Sequence, residues 1–161
     1  PVDLITGGST GSYNIDSEAK DGLHELQAGS YAMMDANYSH IGAKDGSQTY
    51  DDFGLALTVL TTVISKHYPK KAAIDAGNKS MTQATDMVKG RPDLRVKRAG
   101  AEYGMLEWDH ADREPKLGDQ FELVLSNLDM SVNCFDRMFV CRGDQVVDVY
   151  AVLGRQGPSQ H

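Results

Sequence analysis

The chain of 161 residues is 40% hydrophobic and 24% charged, ordinary globular proportions, and is long enough for one domain with a real core. Its 23 acidic residues outnumber 16 basic ones, so the net charge is −7, which excludes a basic stripe for nucleic acid and otherwise signals solubility. The longest apolar run, residues 55–64, contains three threonines and is far too short for a membrane span.

Residues 2–6 read as a short strand running straight into a glycine-rich loop, Gly7-Gly8-Ser9-Thr10-Gly11-Ser12. A strand with nothing before it has no sequence neighbour to pair with, and the expectation is that the chain is cut from a larger protein. Residues 14–22 are polar and turn-rich. Residues 23–34 suit a strand interrupted near Gly29, and residues 37–53 a long surface loop. Residues 55–68, dominated by threonine, valine and isoleucine, give the strongest strand signal. Pro69-Lys70-Lys71 turns it, and residues 72–76 return as its hairpin partner. Residues 80–88 read as a helical turn or two, and Gly90-Arg91-Pro92-Asp93 as a break. Short strands follow at 95–101, 105–108 and 120–125, then a last hairpin, 137–141 with 146–153, closed by Arg142-Gly143-Asp144-Gln145. Residues 154–161 make a loose tail. The body is therefore mainly β.

Three features bear on chemistry. The loop Gly7, Gly8, Ser9, Thr10 and Gly11 follows a strand, and its small residues would let backbone N–H groups close on an anion; the plain alternative is a turn. Asn127 and Asp129 could offer two oxygens to a hard cation such as magnesium, but spacing alone favours a polar loop in which both side chains bond nearby backbone. Cys134 and Cys141, seven apart without a Cys-x-x-Cys or a nearby histidine, read as small core residues rather than zinc ligands. Two cysteines are too few for a disulfide framework, and a cytoplasmic location is expected. His24, His40, His67 and His110 are scattered without His-His-carboxylate spacing, and no Gly-x-Ser-x-Gly nucleophile motif occurs.

Several stretches in order resemble one family. Ile5-Thr6-Gly7-Gly8-Ser9-Thr10-Gly11-Ser12-Tyr13 and Glu25-Leu26-Gln27-Ala28-Gly29-Ser30-Tyr31-Ala32-Met33-Met34-Asp35 resemble the latter part of a D-threonine aldolase. The likeness continues through residues 60–65, Ile74-Asp75-Ala76-Gly77-Asn78-Lys79, Asn127-Leu128-Asp129-Met130-Ser131-Val132-Asn133, and residues 146–152. Relatives of that kind include 3-hydroxy-D-aspartate aldolase and D-serine dehydratase, on the alanine racemase fold.

The resemblance implies a two-domain enzyme: an (α/β)8-type barrel whose early lysine holds pyridoxal 5′-phosphate as a Schiff base, then a β domain. A barrel alone takes about 200 residues or more, so this chain would hold only its end. The implied organisation is a remnant of the truncated α/β barrel with the phosphate loop at 1–22, the C-terminal antiparallel β domain of the alanine racemase-type fold at 23–154, and a tail at 155–161. None of the lysines sits in a context resembling the Schiff-base lysine, so the isolated chain is expected to be inert. By position Gly7, Gly8, Ser9, Thr10 and Gly11 would bind the cofactor phosphate. The family's metal pair, His-x-Asp or His-x-Cys, matches Asn127 and Asp129, with Asn127 where the histidine stands; a divalent metal (magnesium or manganese) would lose its imidazole. Likewise the family's Glu-His-Gly reads Glu102-Tyr103-Gly104 here. The implied reaction is cleavage of a D-3-hydroxy amino acid to glycine and an aldehyde, or dehydration to an oxo acid, in a homodimer. The alternatives are a non-catalytic β module and a racemase whose substrate lacks a β-hydroxyl.

Overall fold

Residues Thr58–Ser65 are β-branched at every position except Leu60 and Ser65, which suits a pleated surface better than a helix. In the computed structural model, which describes residues 2–18, 22–42, 45–47, 50–81 and 87–154, they form the longest strand of the main sheet, paired on both sides. Nine strands are described: β1 Thr6–Gly7, β2 Glu25–Leu26, β3 Thr58–Ser65, β4 Lys71–Ile74, β5 Arg95–Ala99, β6 Gly104–Glu107, β7 Gln120–Val124, β8 Arg137–Arg142 and β9 Gln145–Ala151. Two short helices, α1 Tyr13–Asp16 and α2 Leu128–Val132, and two 3-10 turns, Ser30–Ala32 and Ala36–His40, complete the inventory.

The main sheet runs β5-β6-β4-β3-β7, antiparallel throughout. β3 and β4 pair as the sequence predicts, with Val63 opposite Ile74 and a bulge between Val63 and Ser65. Asp75, just past β4, extends the contact of the two strands: its Oδ1 accepts from Thr61 Oγ1 and from the Thr62 amide, both at 2.7 Å. This satisfies the hydroxyl of Thr61, which is buried among the apolar side chains of the inner face. Along β3 the side chains of Val59, Thr61 and Val63 point inward, while Leu60 and Ile64 stay exposed. Ile74, Met81, Leu94, Val96, Leu106, Trp108 and Leu123 fill the core against them. Gly77 lies where two backbones cross, since a Cβ there would stand 2.5 Å from the Tyr103 amide nitrogen.

Two further sheets have only two strands each. β1 and β2 pair in parallel, Thr6 with Glu25 and Gly7 with Leu26, and β8 and β9 form a hairpin turned at Gly143 and Asp144. Expected strands at 2–6 and 23–34 shrink to these two-residue pieces. After Leu26 the chain leaves the ladder for the turn at Ser30–Ala32, whose geometry is fixed by distant contacts described below. α2 stands where the sequence reading had only a loop. Of the expected helical stretch 80–88, residues 82–86 lie outside the described residues, as does the tail at 155–161; Val88 makes a single bridge to Leu123. Among the described residues no helix is long and apolar enough to cross a membrane.

Candidate cofactor loop and its neighbours

The glycine-rich loop leaves β1 with Gly8 at φ +75°, a left-handed backbone open to glycine at little cost. A Cβ on Gly8 would also meet Asp16 Oδ2 at 2.7 Å. The loop is braced from inside by its serines. Ser12 Oγ accepts from the Ser9 amide at 3.0 Å and donates to Asp16 Oδ2 at 2.6 Å, and Ser9 Oγ accepts from the Gly11 amide at 3.2 Å. The amides of Ser9 and Gly11 are therefore spent on the loop itself.

Thr10 differs from its neighbours. It is 1% exposed, its hydroxyl oxygen accepts from the Tyr31 amide at 3.0 Å, and its carbonyl accepts from Tyr50 Oη at 2.8 Å. Among the described residues its own amide has no acceptor, and neither has that of Gly8. A buried amide without a partner costs about 1–3 kcal/mol, so an anion in front of this loop would satisfy a donor that the described residues leave open. Asp16 works in the opposite sense, because it brings a carboxylate beside the same loop.

Aromatic rings surround the Thr10 contacts. Phe53 packs against Tyr13, Tyr31 and Tyr50 at ring-centroid distances of 5.3, 5.5 and 6.3 Å. Burial, with help from the charges on Tyr13 and Asp52, pushes the Tyr50 hydroxyl up to about 12. The phenol therefore stays protonated, and keeps donating, across the ordinary pH range.

The second candidate loop carries Asn127 and Asp129. Asn127 is the N-cap of α2: its Oδ1 accepts from the Met130 amide at 3.3 Å and its carbonyl accepts from Ser131 Oγ at 2.8 Å. Asp129 lies exposed in the first turn of α2, where a carboxylate suits the helix dipole. No cluster of three or more His, Cys, Asp or Glu side chains able to hold a metal exists among the described residues. One carboxylate and an amide oxygen already engaged in capping do not make a transition-metal site. Glu102, in the Glu-Tyr-Gly segment, forms an ion pair with Lys79, and Tyr103 is exposed. Cys134 and Cys141 are free thiols, half-buried and exposed respectively, so Cys141 is not the core residue its type predicts.

The structure links the two candidate loops through residues 31–36. At one end Tyr31 donates to Thr10 Oγ1; at the other Leu128 donates its amide to Asp35 Oδ1 at 2.6 Å, and the Ala36 amide bonds the Leu125 carbonyl at 2.9 Å. Sequence reasoning missed Tyr31, Asp35 and Tyr50, which have no spacing signal. A cleft of about 540 Å³ lined by Leu60, Lys89, Arg91, Asp93, Arg113 and Phe121 includes neither loop.

A curved antiparallel sheet with few helices, led into by a glycine loop, is the C-terminal portion of the alanine racemase-like fold. An alanine racemase-like protein from Idiomarina loihiensis shows this fold at a TM-score of 0.61 and 17% identity, over 84% of this chain and 40% of that one. The family described as the putative serine dehydratase domain matches residues 56–141, and the chain belongs to that family. It is 37% identical to a D-threonine aldolase from an Arthrobacter species and 34% identical to a 3-hydroxy-D-aspartate aldolase from Paracoccus denitrificans, each over 95% of this chain. The structure of D-threonine aldolase from Filomicrobium marinum superposes with a TM-score of 0.82 at 30% identity, over 95% of this chain and 42% of that one. D-threo-3-hydroxyaspartate dehydratase from a Delftia species shares the fold at 0.68 and 22% identity, over 94% and 44%. The chain spans 40% of the length of the curated relatives it matches.

Proposed function

We propose that this chain is the C-terminal part of a pyridoxal 5′-phosphate-dependent enzyme that cleaves D-3-hydroxy amino acids to glycine and an aldehyde. The observation that carries the reading is the Thr10 amide, which has no acceptor among the described residues, in a glycine loop within a chain that is alike along 95% of its length to a D-threonine aldolase. The amides of Gly8 and Thr10 and the Thr10 hydroxyl proton would hold the cofactor phosphate; Gly7, Ser9 and Gly11 shape and brace the loop. When bound, the cofactor supplies an electron sink for the bond broken at Cα. Residues 1–22 are read as the end of a barrel and 23–154 as the β domain. The lysine that would hold the cofactor covalently belongs to the barrel, so the chain by itself is inert.

The metal of the implied family site does not fit the residues present, and no step is derived through it. Because Asn127 is committed to its helix, a racemase acting on a substrate with no β-hydroxyl is the second reading, and dehydration to an oxo acid is a variant of the first. Exposed Phe139, Val147, Val149 and Leu153 on and beside the β8–β9 hairpin support a covering partner, read as the barrel within a homodimer. The free thiols accord with a reducing cytoplasm.

The test is a chimera: the roughly three fifths of the Arthrobacter aldolase that this chain does not match, fused ahead of it. Cleavage of D-threonine by the chimera, with none by the chain alone, supports the aldolase reading. Exchange of the Cα proton of D-alanine without cleavage would favour the racemase, and no reaction with either substrate would overturn both.

A further inference from the structure

Tyr50 lies 40 positions from Thr10 in sequence, and it is 2% exposed, yet its hydroxyl ends on the Thr10 carbonyl. Its own backbone is held in turn, since the Tyr50 amide donates to the Ser39 carbonyl at 3.2 Å. Ser39 Oγ closes on the Ala36 carbonyl at 2.6 Å, so the tyrosine's backbone is tied to the 3-10 turn Ala36–His40. Its ring packs edge-on against Phe53, which also packs against Tyr13 and Tyr31.

Thr10 is thus fixed at two of its oxygens, by Tyr50 at the carbonyl and by the Tyr31 amide at Oγ1. Those two bonds restrain its backbone and side-chain torsions, and with them the direction of the one buried loop amide that has no acceptor among the described residues. A donor held in place before its ligand arrives spares the ligand the entropy of ordering it.

We infer that Tyr50 is a positioning residue for anion binding: it touches no ligand itself but holds Thr10 so that its amide and hydroxyl meet a phosphate group together. This rests on the reading of residues 7–11 as the phosphate loop. Tyr50→Phe keeps the ring and its packing on Phe53 and removes only the bond to Thr10. Phe53→Leu does the reverse, weakening the ring cluster while leaving that bond in place.

The experiment titrates the chain and both variants with pyridoxal 5′-phosphate, inorganic phosphate and phosphate-free pyridoxal, by calorimetry at a temperature where each protein is folded. Tyr50→Phe is expected to weaken both phosphate-bearing ligands about three- to tenfold, the range for one lost buried hydrogen bond, and to leave pyridoxal unchanged. Phe53→Leu is expected to lower the melting temperature but keep phosphate affinity within about twofold of the parent. If Tyr50→Phe does not fold, fluorotyrosine labelling of the parent chain gives the answer: the Tyr50 resonance should shift on phosphate addition, and a resonance that stays put overturns the role. A parent chain that ignores phosphate removes the loop reading and this inference with it. A parent that binds, with Tyr50→Phe equally tight or Phe53→Leu equally weakened, overturns only the positioning role.

Discussion

Leu128 donates its backbone amide to the buried carboxylate of Asp35, 2.6 Å away and 93 positions earlier in the chain. The bond meets the first turn of α2, whose leading amides have no partner within the helix. It also fixes the segment that begins at the glycine loop, because Tyr31, four residues before Asp35, holds Thr10. Between them Met34 takes a left-handed backbone at φ 61° with its side chain 1% exposed. That conformation costs a non-glycine residue roughly 1–2 kcal/mol, whereas burying a methionine is worth more, so packing wins over backbone preference.

Asp35→Ala would strand the Leu128 amide in the interior. A buried orphan donor costs about 1–3 kcal/mol, so a urea titration should show a loss in that range. Asp35→Asn, which keeps an oxygen at the same position, should lose less. Equal stability for all three proteins would mean that the bond contributes nothing net.

Stability at high pH should carry the signature of Tyr50. Its folded pKa is raised to about 12 from an ordinary value of 10.0, so the unfolded chain releases that proton first. The stabilisation is complete below pH 10 and drains away as pH rises towards 12, by up to about 1.4 kcal/mol per pH unit. Denaturation midpoints of the parent should therefore fall more steeply over that window than those of Tyr50→Phe. Parallel curves for the two proteins would refute the assignment.

The proposed phosphate role of residues 7–11 makes Asp16 an opposing charge. Its carboxylate lies against Gly8 and accepts from Ser12, so Asp16→Asn keeps an acceptor for that hydroxyl while removing the charge. A unit charge about 5 Å from a phosphate is worth about 1 kcal/mol or more even in a watery dielectric. Phosphate affinity should rise roughly five- to tenfold in Asp16→Asn, and the gain should shrink as salt is added. A variant that binds phosphate no better would place the anion elsewhere.

Much of the sheet was legible because local and tertiary signals agree there. The β-branched run at Thr58–Ser65, the turn before Lys71 and the Gly143-Asp144 turn each specify their neighbours directly. Residues 23–34 misled because the stretch has no partner strand along most of its length: the ladder stops at Leu26, and the Tyr31 and Asp35 contacts decide the rest. Helix α2 has only five residues and shows no 3.6-residue period. Asn127 with Asp129 two residues later is nevertheless an N-cap followed by an acidic first turn, a signal that the cation reading of the same two residues obscured. The glycine loop was visible as a turn, but which amides stay open depends on Ser9, Ser12, Tyr31 and Tyr50 closing around it.

The same double meaning of Asn127 governs the last prediction. As N-cap it gives its Oδ1 to the Met130 amide, leaving Asp129 as the single charged oxygen donor of the loop. A carboxylate with waters holds magnesium or calcium weakly, and zinc or manganese gains nothing from an amide oxygen that faces a backbone donor. The chain purified alone should therefore carry no stoichiometric divalent metal. Asn127→His should act on two observables in opposite directions. Losing the cap should cost about 1 kcal/mol of stability, because histidine is a poor substitute for asparagine at that position. Gaining an imidazole two residues from Asp129 should raise affinity for zinc or manganese, seen as a calorimetric signal absent from the parent. Elemental analysis and titration of both proteins decide the matter. Tight zinc binding by the parent would overturn the argument that the cap precludes a metal, and no gain in the variant would mean that residues 127–129 are a helix cap and nothing more.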